Sequence, residues 1–136
     1  MSQPVTVAVP AQDAELVLEA LLAVYAARAT NLADQVAHGD ESRLREARAE
    51  LAEAGRMLDQ FGWERGRRVR GADLAGSEWE VGEVLRLALS DAHDALGEVI
   101  ESYHRGRATL DDVLEAAERL RAMLGRFSAF ERDHAL

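Results

Sequence analysis

Residues 14–36 read AELVLEALLAVYAARATNLADQV, and the spacing of their apolar side chains decides the fold class. Leu18, Leu22, Tyr25, Ala29, Leu32 and Val36 follow at intervals of 4, 3, 4, 3 and 4. That alternation lines one face of an α-helix and meshes with neighbouring helices. Three further segments repeat the pattern. Leu44, Ala47, Leu51, Ala54, Leu58 and Phe61 form the second, and Val81, Leu85, Ala88, Ala92, Leu96, Val99 and Tyr103 the third. Leu110, Val113, Ala117, Leu120, Leu124 and Phe127 form the fourth. The expected fold is an all-α, antiparallel four-helix bundle built from two αα-hairpins, one domain over residues 1–136.

Helix boundaries follow from the residues that start and stop helices. Pro10 suits a first turn, Gly39 a left-handed stop, and Asp40 an N-cap. Ser77 and Glu80 have the spacing of a capping box. Gly106 ends the third helix, and Thr109 caps the fourth with Asp111 and Asp112 at its positive end. The helices are expected near 11–38, 41–62, 78–105 and 110–133, with an arm at 1–10 and an inter-hairpin loop at 63–76. The arm contains the β-branched run Val5-Thr6-Val7-Ala8-Val9. A lone strand is not stable, so the arm is expected to be disordered or to pair with its twin across a dimer axis. At an offset of 66 residues, Met57-Leu58-x-x-Phe61 matches Met123-Leu124-x-x-Phe127, a match that alanine-rich helices also produce by chance.

Composition narrows the function classes. The chain of 136 residues has no cysteine, which removes disulfide scaffolds, thiol nucleophiles and cysteine zinc sites. All 16 basic residues are arginine, as codon bias in a high-GC genome would produce. A net charge of −9 disfavours general nucleic-acid binding and anionic membranes. Residues 1–11 have no basic region preceding the apolar ones, unlike a signal peptide. The greasy stretch Ala14–Ala29, interrupted by Glu15, Glu19 and Arg28, is short for a membrane span. A cytoplasmic protein with no membrane partner is the expectation.

Helices 1 and 3 carry more apolar surface than one face can hide. From Ala14 to Ala29, 13 of 16 residues are apolar, and Val84, Leu85, Leu87, Ala88 and Leu89 crowd helix 3. Something must cover Val17, Leu21, Val24, Val84 and Leu87. The simplest cover is a second copy in a twofold dimer, and the alternative is the N-terminal arm laid over one of these faces.

Candidate chemistry is sparse. Glu-x-x-His occurs as Glu101/His104 and Glu131/His134, but both pairs end consecutive helices and so belong to opposite ends of a bundle. His93, flanked by Asp91 and Asp94 and followed by Glu98 and Glu101, is expected at the edge of the buried face as a structural histidine. Ser90 lies three residues from His93 with no evident oxyanion site. Gly62, Gly66, Gly71 and Gly76 follow a helix, not a strand, and match no phosphate fingerprint. The small residues of the helices, Gly55, Gly82, Gly97 and Gly125 among them, read as close crossings. No catalytic residue, metal ligand or cofactor is assigned.

One segment stands out, Trp63-Glu64-Arg65-Gly66-Arg67-Arg68-Val69-Arg70-Gly71. It carries +3 in a chain of net −9, and Trp63 and Trp79 bracket it. Arg65, Arg67, Arg68 and Arg70 can pair with the protein's own carboxylates, with an acidic partner, or with phosphate or nucleic acid. The sequence therefore points to a non-enzymatic protein-interaction or oligomerisation module. The alternative is a regulatory bundle that binds a ligand or nucleic acid through the arginines.

Overall fold

The computed structural model describes residues 4–61 and 71–134. The elements run β1 (Pro4–Pro10), α1 (Ala11–His38), α2 (Glu41–Gln60), β2 (Gly71–Ser77), α3 (Glu78–His104) and α4 (Leu110–His134). The chain is mostly helical, and its four helices lie within two residues of the expected bounds. It divides into two compact units, Met1–Val84 and Leu85–Leu136, so the boundary falls inside α3.

The first unit holds the main departure from an all-α fold. β1 and β2 form a two-stranded antiparallel sheet in which Val5 faces Gly76, Val7 faces Leu74 and Val9 faces Ala72. The arm is thus a paired strand, and the second half of the expected loop is its partner. In β1 the burial alternates. Pro4, Thr6 and Ala8 are exposed, Val5 and Val7 are half-buried and Val9 is buried. β2 reads GADLAGS, with two glycines, two alanines and no β-branched residue, so its sequence carries almost no strand signal. Tertiary contact supplies what propensity lacks: the sheet lies against α1, and β2 also lies against α2.

The excess grease of α1 goes inside the chain, and the sheet lies against this helix. Val17, Leu21 and Val24 are buried, as are Val9 and Leu74 of the sheet and Val81 and Val84 at the start of α3. The face that the sequence leaves to a dimer mate is buried in the single chain. Val17, Leu21, Val24 and Val84 are therefore not a dimer surface, and Leu87 is half-buried. The heptad-spaced stripe of α1 is instead the flank of its buried face. Leu18 is buried, Leu22 and Tyr25 are partly exposed, and Val36 is 66% exposed. By length and composition α1 would pass for a membrane span, because the helix continues to His38 beyond the stretch counted in the sequence.

Helix ends follow their caps. Asp40 Oδ1 accepts the Arg43 N–H at 2.8 Å. Gly39 is extended (φ −87°, ψ 162°) where a left-handed stop was expected, and its N–H donates to the Gln35 carbonyl. In the second unit, Gly106 does take positive φ (73°) and turns the chain between α3 and α4. Thr109 and Asp112 form a reciprocal box: the Thr109 N–H donates to Asp112 Oδ2 at 2.9 Å, and the Asp112 N–H to Thr109 Oγ1 at 3.2 Å. The backbone N–H and the hydroxyl of Thr109, both directed at the Asp112 carboxyl, hold it below the usual aspartate range. Within α4, Met123 and Phe130 are buried. Gly97 and Gly125 are not close crossings, since a Cβ at either would meet nothing within 4 Å.

Candidate functional site

A cluster of polar side chains sits where α3 begins. Ser77 caps the helix, its Oγ accepting the Glu80 N–H at 3.3 Å. In a capping box the Glu80 side chain would reach back to the Ser77 N–H. Here it turns away to Arg28 of α1, whose Nη2 lies 3.2 Å from Oε1 and 3.3 Å from Oε2. Glu53 of α2 fills the vacated role, its Oε1 accepting the Ser77 N–H at 2.7 Å. Trp79 completes the cluster, with the Arg28 guanidinium 4.8 Å from its ring centre.

The electrostatics of this cluster are structural in kind. Glu80 is only 3% exposed. Burial pushes its carboxyl above the ordinary value, Arg28 opposes that shift, and Glu53 and Glu50 add to it. Arg28 Nε is buried without a hydrogen-bond partner. Arg28 and Glu80 thus pair with each other, and Glu53 accepts a backbone N–H.

Beside this cluster, Pro4–Thr6, Ala75–Ser77 and the α2 residues Glu53, Arg56, Met57 and Gln60 line an open groove of about 580 Å³. Its hydroxyls, Thr6 and Ser77, have no histidine among the lining residues to act as base. Met57 closes its floor, so near to Gly76 that a Cβ there would come within 2.7 Å of the Met57 sulfur.

The residues singled out by sequence scatter. His93 is fully on the surface, its Nδ1 3.4 Å from Asp94, and not at the edge of the buried face. Glu101 is bound to Arg105 at 2.7 Å, and His134 stacks on Phe130 at 4.5 Å between ring centres. Among the described residues, no group of three or more His, Asp or Glu could hold a metal. Trp63, Arg65, Arg67, Arg68 and Arg70 lie outside the described residues. Trp79 is described and is 54% exposed.

What sequence reasoning missed is on α4. Leu110, Leu114 and Leu124 are 55%, 53% and 51% exposed. Ala117 stands between them on the same ridge and is half-buried. Of these ridge residues, Leu110, Ala117 and Leu124 belong to the stripe assigned to the core, and Leu114 does not. The helix is turned so that Met123 and Phe130 go inside, and the leucine ridge is left on the outward face. The signal was the breadth of the apolar arc, which a single stripe does not capture.

No family model matches the chain, and comparison with curated proteins and with solved structures finds no significant match.

Proposed function

We propose that this chain is a non-enzymatic protein-interaction module built from two helical hairpins, and that the leucine ridge of α4 is its contact surface. The observation that carries the reading is the exposure of Leu110, Leu114 and Leu124, each more than half open to solvent on one ridge. A soluble chain seldom leaves three leucines aligned in water unless something covers them. Helical recognition reads anchors at this spacing. The polar cluster at Arg28 and Glu80 supports the same reading, because its groups serve the fold.

The test is a photo-reactive side chain placed at Ala117, at the centre of the ridge, in the full chain expressed in its own host. The control is the same group at Arg119, which points from the opposite side of the helix. Crosslinking at 117 and not at 119 is expected. No crosslinked species at 117 would refute the assignment.

A further inference from the structure

Leu110, Leu114, Ala117, Arg121, Leu124 and Ser128 follow one another along α4 at intervals of 4, 3, 4, 3 and 4. All are exposed except Ala117, which is half-buried. This is the spacing of a coiled-coil seam about 27 Å long, with one charged residue near its middle. Glu118 lies on the flank of that ridge, next to Ala117. Glu118 and Arg121 are both exposed, and neither takes part in the ion pair that Glu115 makes with Arg119 at 3.7 Å.

Building on the function proposed above, we propose that the occupant of the ridge is a second copy of this chain. The two α4 helices run antiparallel about a twofold axis at the level of Arg119, and Arg121 of each copy pairs with the partner's Glu118. The register follows from size and charge together. In the antiparallel arrangement Leu114 faces the partner's Leu124, Leu110 faces the partner's Ser128, and Arg121 faces the partner's Ala117. Arginine then lies opposite the smallest side chain of the seam, where its aliphatic stem has room. Its guanidinium reaches the flank where the partner's Glu118 stands. A parallel pair would instead set Arg121 against the partner's Arg121 in one layer, two like charges in the seam. The twofold makes each contact twice, so one arginine and one glutamate per chain become two complementary pairs.

A lipid surface fits the ridge less well. Asp111 and Glu118 flank the leucines, and the chain carries −9, both of which oppose an anionic bilayer.

Sedimentation equilibrium of the full chain decides the matter, from micromolar to submillimolar concentration. The expected result is a reversible equilibrium between 14.9 kDa and twice that mass. Arg121→Glu sets a second carboxylate against the partner's Glu118 and is expected to weaken association about tenfold or more. The double variant Glu118→Arg/Arg121→Glu exchanges the charges and restores it. Leu114→Glu/Leu124→Glu abolishes it, and since both leucines are exposed the far-UV dichroism stays unchanged.

A chain that stays monomeric throughout overturns the dimer, as does a double charge exchange that fails to restore association. A dimer that persists in Leu114→Glu/Leu124→Glu overturns its placement on α4. Binding to phosphatidylglycerol vesicles that Leu114→Glu/Leu124→Glu abolishes assigns the ridge to lipid and overturns the second copy. A monomer that still crosslinks another protein at Ala117 removes only the dimer. A monomer with no crosslink removes the interaction reading as well.

Discussion

Glu53 of α2 accepts the backbone N–H of Ser77 at 2.7 Å and so completes, from another helix, the cap of α3 that Glu80 leaves half made. Ser77 is also the last residue of β2, facing Pro4 across the sheet. One carboxylate thus fastens a helix start and a strand end to the α1–α2 hairpin. Glu53→Ala should cost about 1–2 kcal/mol, the range for a lost cap that leaves an N–H unpaired. Glu53→Gln keeps an acceptor oxygen and should cost less. Urea denaturation of both variants measures the difference.

The Arg28–Glu80 pair makes a pH prediction with a definite sign. Burial raises the Glu80 carboxyl above its ordinary value of 4.5, so the native state holds that proton more tightly than the unfolded chain does. The stability that Glu80 contributes is fully present below about 4.5 and is lost as pH rises through its raised folded value. Asp112 has the opposite sign. Its carboxyl is lowered from 3.8, and its contribution is lost only as pH falls below that window. Denaturation midpoints measured upward from pH 4.5 should therefore show a downward slope from Glu80, and Glu80→Gln should remove it.

Gly76 and Met57 are a steric pair. A methyl group at Gly76 would approach the Met57 sulfur to 2.7 Å and its Cγ to 2.8 Å, and Met57 is itself buried. Gly76→Ala should destabilise by about 1–3 kcal/mol, as overpacking does. Met57→Ala on its own leaves a cavity. The double variant should lose less than the sum of the two, and a double-mutant cycle by chemical denaturation measures that coupling.

Gly97 is the converse. It lies in α3 with nothing within 4 Å of where a Cβ would stand. Gly97→Ala should stabilise by up to about 1 kcal/mol, through helix propensity and a less disordered unfolded chain. A scanning calorimeter should record a rise in Tm of a few degrees, about 4 °C at most.

Leu21 separates a core residue from a dimer contact. It is fully buried within the first unit, so Leu21→Ala should cost about 2–5 kcal/mol in urea denaturation and leave the sedimentation behaviour of the folded chain unchanged.

The helices were legible because their signals are local. Interval, cap and stop residues lie within a few positions of one another, and Asp40, Ser77 and Thr109 each bond to the backbone they were expected to cap. The sheet was not legible, since Leu74 is the sole large apolar residue of β2 and its partner Val7 is far away in sequence. Missing the sheet also turned α1 the wrong way. With the sheet unforeseen, Val17, Leu21 and Val24 read as outward, to be covered by a second copy or by the arm, and Leu22, Tyr25 and Val36 read as core. At the site the sequence showed the Ser77 and Glu80 spacing of a capping box, and Trp79 only as one bracket of the arginine segment. Arg28, Glu53 and Glu80 lie on three helices, and no spacing rule links them. The ridge on α4 was hidden because Leu114 stood outside the stripe.

The pairing of β1 with β2 also orders events in time. Val7 and Leu74 are more than sixty residues apart in the chain, and closing so long a loop is the slow kind of step in folding. On the ribosome, β1 emerges first but has no strand to join until β2 has been synthesised. Until then α1 lacks the ribbon that lies against it in the folded chain. The newborn chain therefore completes its sheet only once Ser77 has been made.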